Sequence, residues 1–277
     1  MDRERRAPGP PLRFGQGNAK LGSAVTTFSL PAGHTCPFAG SCRSKSGREA
    51  GTITEGHKSP ETDFRCYAAS MECRRPSVRR ARWHNFDLLR SCGTVAETAA
   101  LILDSLSPSV RLLRVHESGD FWSQAYFDAW LAVARARPET TVYWYSKSIR
   151  YWVARLDEVG TGRSPGDVPN VVPTASRGGR DDHLIGRYGL RSARVVFSVA
   201  QATELGLDVD HDDSHAMRHG PDFALLLHGT QPAGTEAAKA VRTLRQNGFT
   251  GYGRSMRVPL PTTGVPRQCP SSSRSES

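Results

Sequence analysis

Hydrophobic runs alternate with amphipathic segments through the middle of the chain. Apolar runs rich in β-branched and aromatic residues predict strands at 24–30, 111–116, 140–145, 170–174, 193–199, 223–228 and, more briefly, 251–256. Apolar residues at helical spacing predict helices over 76–91, 95–106, 123–137, 149–159, 180–188 and 235–247. Alternating strands and helices are typical of a parallel sheet covered by helices. We therefore expect an α/β fold, a partial (β/α) barrel of about six parallel strands, with a doubly wound sheet as the alternative.

The two ends of the chain differ in composition from its middle. They are polar, charged and rich in Pro, Gly or Ser, which predicts poor order. We expect a flexible basic N-terminal segment at 1–20, a single barrel-like domain at 21–258 and a disordered tail at 259–277. Inside the domain, residues 31–73 form a Gly-containing loop region that carries cysteines, and its polar stretch 43–63 reads as one long loop.

Charge and the lack of a long apolar run restrict the classes of function. The 277 residues include 37 Lys and Arg against 27 Asp and Glu, a net charge of +10, which suits a nucleic acid or another polyanionic partner. No segment approaches the roughly 18 apolar residues that span a bilayer, and the N-terminus lacks an apolar signal region. We expect a cytoplasmic protein without membrane contact. In that reducing compartment, cysteines are metal ligands or free thiols more often than disulfides.

Three cysteines in the loop region are candidate metal ligands. Five residues separate Cys36 from Cys42, and 23 residues separate Cys42 from Cys66. Thiolates are soft ligands that select iron–sulfur clusters, zinc or copper(I), and zinc motifs favour gaps of about two to four residues in two pairs. The spacing therefore favours a [4Fe–4S] cluster, with zinc or unrelated buried thiols as alternatives. Cys73 or His34 would be a fourth ligand that closes such a cluster.

Polar residues follow most of the predicted strands, at the edge where parallel sheets form their sites. The candidate catalytic residues are Asp120, Lys147 and His116. The candidate cofactor-binding residues are Ser118, Gly119, Asp120, Ser146, Ser176, Ser198 and His228. Serine, glycine and aspartate also serve as turn residues and helix caps at strand ends, which is the structural alternative for most of these positions.

An acidic stretch at 208–215 contains four aspartates and two histidines. Carboxylate and imidazole groups would serve as ligands of a second metal ion. A solvated acidic loop at the start of a helix is the simpler interpretation, because the helix dipole favours negative charge there. We expect the solvated loop.

Several of these segments together resemble the phage gene-product-88 family, whose members are coded by phages and other mobile elements. The resemblance covers roughly residues 14–257 and rests on Phe28–Gly33, Cys36-Pro37, Cys42, Cys66-Tyr67-Ala68, His116–Phe121, Tyr145–Ser148 and His228–Pro232. That family is in turn distantly similar to radical S-adenosylmethionine enzymes. In those enzymes a cluster loop follows the first barrel strand, and a turn after the second strand contacts the methionine amine.

The resemblance implies a function. It makes Cys36, Cys42 and Cys66 the ligands of a [4Fe–4S] cluster, with Gly119 and Asp120 as the turn that binds the methionine amine. We expect S-adenosylmethionine as the second cofactor, an electron donor as a partner, and a substrate that is a nucleic acid or a nucleotide. One alternative is a non-catalytic zinc or iron–sulfur nucleic-acid-binding protein of a phage or mobile element. The other is a metal-free phage accessory protein whose thiols are incidental.

Overall fold

The chain folds around one large β-sheet. The computed structural model describes residues 11–18, 20–42, 44–55 and 64–249. Its strands are β1 (Gly15–Asn18), β2 (Gly22–Ser29), β3 (Lys45–Ser46), β4 (Ile53–Thr54), β5 (Leu112–Ser118), β6 (Thr141–Ser146), β7 (Val171–Ser176), β8 (Ser192–Val196), β9 (Asp208–Val209) and β10 (Phe223–Leu226).

Nine helices occur in the described residues. They are α1 (Tyr67–Arg74), α2 (Pro76–Ser91), α3 (Val95–Ser105), α4 (Gln124–Ala136), α5 (Ile149–Val153), α6 (Leu156–Val159), α7 (Asp182–Arg187), α8 (Val199–Glu204) and α9 (Glu236–Gln246). Thr94, Ser123 and Thr235 begin α3, α4 and α9, because each side chain accepts a hydrogen bond from an N–H of the first helical turn. No helix in these ranges has the length and apolar composition needed to cross a membrane.

The sheet is mostly parallel and has eight strands, in the order β1-β2-β5-β6-β7-β8-β10-β9. Only β1 pairs antiparallel, against β2, while the other neighbours pair parallel. The expected α/β class is confirmed, but the count of about six strands is wrong. The additional strands are the short edge strands β1 and β9, and they leave an open sheet rather than a closed barrel in the described part of the chain.

Two regions expected to be irregular contain regular structure. Strand β1 lies inside the segment 1–20, and the antiparallel pair β3–β4 lies inside the stretch 43–63. The buried Arg79 guanidinium holds this hairpin by donating hydrogen bonds to the carbonyl oxygens of Arg48, Glu49 and Glu72, at 2.9, 3.0 and 2.7 Å. The predicted strand at 251–256 and the predicted tail lie outside the described residues.

The two faces of the sheet bury different side chains. Val142 and Trp144 of β6 pack in the main core with Phe127 and Trp130 of α4. Tyr143, between them, lies in a second core on the opposite face, as the alternation of side chains along a strand requires. Helices α3 and α4 therefore cover one face, whereas the other face carries the second core, and Arg114 and Tyr145 line a cavity.

Candidate functional site

The loop that carries Cys36 and Cys42 lies across the carboxyl edge of the sheet. It leaves β2 at Leu30, whose N–H donates to the Ser118 carbonyl at 2.9 Å and so keeps the ends of β2 and β5 together. Farther along, the N–H groups of Gly40 and Ser41 donate to the Gly178 carbonyl at 3.1 and 2.8 Å. The loop thus reaches from the end of β2 to the segment after β7.

The hairpin brings the chain back to place Cys66 directly before α1. The Cys66 N–H donates to the Ser44 hydroxyl at 3.3 Å, and that hydroxyl donates to Glu55 at 2.8 Å. Glu55 also forms an ion pair with Arg65. The long insertion between the second and third cysteines therefore returns to its starting point and is fixed there.

The thiols of Cys36, Cys42 and Cys66 and the carboxylate of Asp120 are electrostatic neighbours. Burial raises the pKa of the Cys36 thiol, and Asp120, Cys42 and Cys66 raise it further. Burial and the nearby Cys42 raise the pKa of Cys66 to about 11, although the N–H groups at the start of α1 oppose the shift. All three cysteines are half-buried. We call Cys36, Cys42 and Cys66 the thiol cluster.

The donor chemistry of the thiol cluster distinguishes between kinds of metal centre. In the described ranges, no group of three or more His, Cys, Asp or Glu side chains is arranged to hold a metal ion. One zinc ion with Zn–S bonds of about 2.3 Å brings its thiolates to within roughly 4 Å of each other. An iron–sulfur cluster instead places each thiolate on a different iron, over a wider triangle. The two kinds of centre therefore differ in the sulfur–sulfur distances that they need, and the described residues show no preformed set of three metal ligands for either.

Glu72 binds the cysteine loop to the neighbouring elements, and the sequence patterns did not identify it. This fully buried carboxylate accepts hydrogen bonds from the Ala32 N–H at 2.9 Å, from Arg82 at 2.8 Å and from the Ser118 hydroxyl at 3.4 Å. It therefore connects the cysteine loop, α2 and the end of β5. The sequence signal was weak: Glu72 is one of two acidic residues within 65–90, a stretch with seven arginines.

The turn after β5 contacts the cysteine loop directly. Gly119 has φ +84°, and a Cβ there would lie 2.6 Å from Thr35 Oγ1 and 2.7 Å from Leu30 Cβ. Both the left-handed backbone and the close approach require glycine. The candidate binding residue Gly119 thus packs against the segment next to Cys36, and Ser118 donates its hydroxyl to the Leu30 carbonyl at 2.9 Å.

Gly119→Ala is expected to lower the free energy of unfolding by about 3 kcal/mol. A left-handed alanine costs roughly 1–2 kcal/mol, and the collision with Thr35 and Leu30 adds about 1–3 kcal/mol. Gly189→Ala is the matched control, because Gly189 has φ +61° and no atom within 4 Å of its added Cβ. Urea denaturation of both variants separates the collision from the backbone strain, and equal losses would show that the contact between turn and loop has no energetic weight.

Asp120 joins the turn to the end of β6. Its Oδ1 accepts hydrogen bonds from the Ser146 hydroxyl at 2.7 Å and from the Phe121 N–H at 2.8 Å, and its Oδ2 accepts from the Lys147 N–H at 2.8 Å. Burial raises the pKa of this carboxyl, although the three hydrogen bonds oppose the shift. The structure brings the candidates Asp120, Ser146 and Lys147 together beside the thiol cluster.

The Lys147 ammonium is bound to the end of β7. Its Nζ donates to the Ser176 carbonyl at 3.1 Å, to the Ser176 hydroxyl at 2.7 Å and to the Arg177 carbonyl at 2.9 Å. The side chain is buried. Lys147 and Ser176 therefore extend the polar connection from β5 and β6 to β7 along the carboxyl edge.

Two other candidates have local structural contacts. His116 lies in a bulge of β5 with φ +65°, its Nε2 is 3.1 Å from the Tyr126 hydroxyl, and its ring centroid is 4.5 Å from that of Phe121. Burial lowers the pKa of His116 to about 3, so the ring is neutral at physiological pH. Ser198 begins α8 by accepting a hydrogen bond from the Gln201 N–H at 3.1 Å. The contacts of His116 hold the bulge of β5, and the contact of Ser198 caps the start of α8.

His228 lines a cavity next to the thiol cluster. The cavity has a volume of about 420 Å³. Its lining residues include Arg65 and Tyr67, which flank Cys66 in sequence, and the Tyr67 and His228 ring centroids are 4.7 Å apart. Burial lowers the pKa of His228 to about 4, which keeps this ring neutral as well. A ligand in the cavity would therefore contact the residues on either side of the third cysteine.

Asp213 forms a buried ionic network at the base of the cavity. Its carboxylate contacts Lys20 Nζ at 2.5 Å and Arg114 at 2.7 Å, and it accepts hydrogen bonds from the Tyr145 and Tyr143 hydroxyls at 3.1 and 3.3 Å. The expectation of a solvated acidic loop is wrong for Asp213 and for Asp210, since both are fully buried. The network connects the start of the sheet to the segment after β9.

The fold and the site together define an α/β protein with a thiol-bearing loop at the carboxyl edge of an open parallel sheet. The family model described as Gene product 88 matches residues 12–246. The chain belongs to that family, as the sequence resemblance predicted.

Curated relatives are phage proteins. The Gene 88 protein of Mycobacterium phage L5 is 31% identical over 91 residues, and that of Mycobacterium phage D29 is 30% identical over 91 residues. Each alignment covers 30% of this chain and 38% of the relative. The chain thus matches well under half the length of these relatives. No solved structure matches it.

Proposed function

We propose that the chain is an iron–sulfur enzyme of the radical S-adenosylmethionine type, with Cys36, Cys42 and Cys66 as ligands of a [4Fe–4S] cluster. The observation that carries the proposal is that Cys36, Cys42, Cys66 and Asp120 lie close enough to shift one another's pKa, at the carboxyl edge of the sheet, and that the residues on either side of Cys66 line a cavity. When bound, a cluster with three protein thiolates would bind S-adenosylmethionine at its open iron and supply the electron for its cleavage.

The strand order supports a partial (β/α) barrel as the scaffold for this chemistry. Strands β2, β5, β6, β7, β8 and β10 lie side by side in the order in which they occur along the chain. Sheets that are wound in one direction, without a reversal of strand order, are typical of barrels, whose sites form at the carboxyl ends of the strands. The cavity and the Asp213 network would occupy the concave side.

The chain's own residues would position the ligands and exclude water. Asp120 has two carboxylate oxygens with about four acceptor sites and three hydrogen bonds, so it retains capacity for one ammonium donor. Lys147 and Ser176 would keep the strand ends in register beneath that donor. Glu72 would hold the cysteine loop against β5 while the thiols lose their protons.

Anaerobic reconstitution tests the proposal. Incubation with iron, sulfide and a thiol reductant is expected to give about four irons and four sulfides per chain with a charge-transfer absorption band. Addition of S-adenosylmethionine and a strong reductant is then expected to release 5′-deoxyadenosine, measured by chromatography. Iron content well below one atom per chain would overturn the cluster. A loaded protein that releases no 5′-deoxyadenosine would overturn the enzymatic part alone.

The basic charge favours a second candidate, a non-catalytic iron–sulfur protein that binds nucleic acid. The net charge of +10 suits a phosphate backbone. This candidate predicts binding to single- or double-stranded DNA or RNA whose affinity falls steeply with salt concentration. It also predicts no release of 5′-deoxyadenosine, so the same reconstituted sample decides between the two candidates.

A further inference from the structure

The charged side chains that line the cavity are mainly cationic. Its lining contains one carboxylate, Glu117, and that group is occupied by a hydrogen bond of 2.8 Å from the Asn18 amide. It also contains five cations, which are Lys20, Arg65, Arg74, Arg114 and Arg245. Cations that surround a concave space attract anions more strongly than the same charges on an open surface. The lining therefore selects for negative charge.

Part of this positive charge has no ion-pair partner within the ranges that the structure describes. Asp213 offsets Lys20 and Arg114 from behind the lining, and Glu55 pairs with Arg65. Arg74 and Arg245 are exposed and form no ion pair with the described residues. Their guanidinium groups are donors in a planar fork that matches phosphate oxygens. An incoming phosphate would supply the counter-charge for them.

Most of the remaining lining residues are aromatic or apolar. Tyr67 and His228 form one ring pair, and Phe64 and Tyr145 also line the cavity. Arg114 lies over the Tyr145 ring at 5.0 Å, which fixes the orientation of that ring. Aromatic faces stack on nucleobases irrespective of base identity. The volume of about 420 Å³ lies within the range of about 300–1,000 Å³ that is usual for small-molecule sites.

We propose that the cavity binds a nucleoside monophosphate unit, with its phosphate on the arginine rim and its base against the aromatic wall. The unit is either a free nucleotide or the phosphorylated end of a strand, since both present the same chemistry. As the substrate site, this assignment rests on the proposed function. As a binding site, it requires neither cluster nor reductant.

Calorimetry with the full chain tests the assignment. The probes are the four ribonucleoside 5′-monophosphates, the four corresponding nucleosides and a 5′-phosphorylated trinucleotide. Monophosphates are expected to bind at least tenfold more tightly than nucleosides, because only the monophosphates offer charge-assisted hydrogen bonds to the arginines. Tighter binding of the trinucleotide would assign the site to a strand end. Equal binding of monophosphates and nucleosides, or no binding at millimolar concentration, would overturn the proposal.

A matched pair of variants locates the phosphate. Arg245→Ala is expected to weaken monophosphate binding about tenfold. Arg242→Ala on the same helix is the control, because Arg242 is exposed and does not line the cavity. Equal effects of the two substitutions would contradict the rim assignment. The same titrations on the metal-free wild-type chain separate the two proposals, since nucleotide binding there requires no cluster and is expected whether or not the chain takes up iron.

Discussion

Asp213→Asn is expected to lower the free energy of unfolding by about 3–5 kcal/mol, the usual cost of removing one partner from a buried ion pair. The substitution keeps the size of the side chain but removes the charge that balances Lys20 and Arg114. Two hydroxyls, those of Tyr143 and Tyr145, would also lose a charged acceptor. Chemical denaturation, followed by the fluorescence of the five tryptophans, measures the loss.

Asp212→Asn is the matched control for this prediction. Asp212 is the adjacent residue and is exposed, and its Oδ1 accepts a hydrogen bond from the Ser214 N–H at 3.0 Å. Its substitution removes the same formal charge near Lys20 but leaves the ion pairs and hydrogen bonds of Asp213 in place. We expect a change within about 0.5 kcal/mol, as for most surface substitutions. Comparable losses in the two variants would mean that the buried pairs with Lys20 and Arg114 do not stabilise the fold.

The dependence on pH provides an independent check of the same network. Burial alone would raise the pKa of Asp213, but Arg114 and Lys20 hold it below its usual value. A depressed folded-state pKa gives stability that is present above the unfolded value of about 3.9 and is lost as the pH falls through the folded value. The difference between the wild type and Asp213→Asn is therefore expected to shrink below about pH 4.

Local sequence patterns predicted most of the regular elements, but they could not predict ionic contacts between residues far apart in the chain. Helix α2 has the predicted bounds, because its periodicity and its N-terminal proline are local signals. Strands β3 and β9 have two residues each, which is too short for any periodicity. The buried pair of Arg114 with Asp213 joins residues 99 positions apart, and nothing in a single sequence specifies such a pairing.

Part of the candidate site was also predictable from the sequence. Thiolate chemistry singled out Cys36, Cys42 and Cys66, and the structure makes them neighbours despite the insertion between the last two. Gly119 was predicted as a cofactor-binding residue, and the structure shows that it packs against the cysteine loop. Glu72 was missed because its burial and its pairing with Arg82 depend on the folded structure, and the sequence alone does not show which arginine a carboxylate contacts.

Cys66→Ala is expected to abolish retention of iron by the reconstituted protein, reducing about four irons per chain to less than one. The remaining two thiols cannot hold a cluster that needs three protein ligands in this site. Cys92→Ala is the control, because the Cys92 thiol contacts the Leu88 carbonyl at 3.6 Å at the end of α2, away from the loop. Retained iron in Cys66→Ala, or equal loss in Cys92→Ala, would contradict the assignment of the ligands.

Proton release sharpens the same experiment. The raised pKa values of Cys36 and Cys66 mean that both thiols are protonated at pH 7 in the metal-free chain. Ligation requires thiolates, so iron must displace these protons, and uptake is expected to be faster and more complete at pH 8.5 than at pH 7.

Cys73→Ala decides the number of protein ligands. If that variant keeps its iron and the cluster still reacts with S-adenosylmethionine, three thiolates are sufficient to hold the cluster. Loss of iron would instead identify Cys73 as a fourth ligand. The cluster would then have no open iron for S-adenosylmethionine, which would exclude the radical reaction.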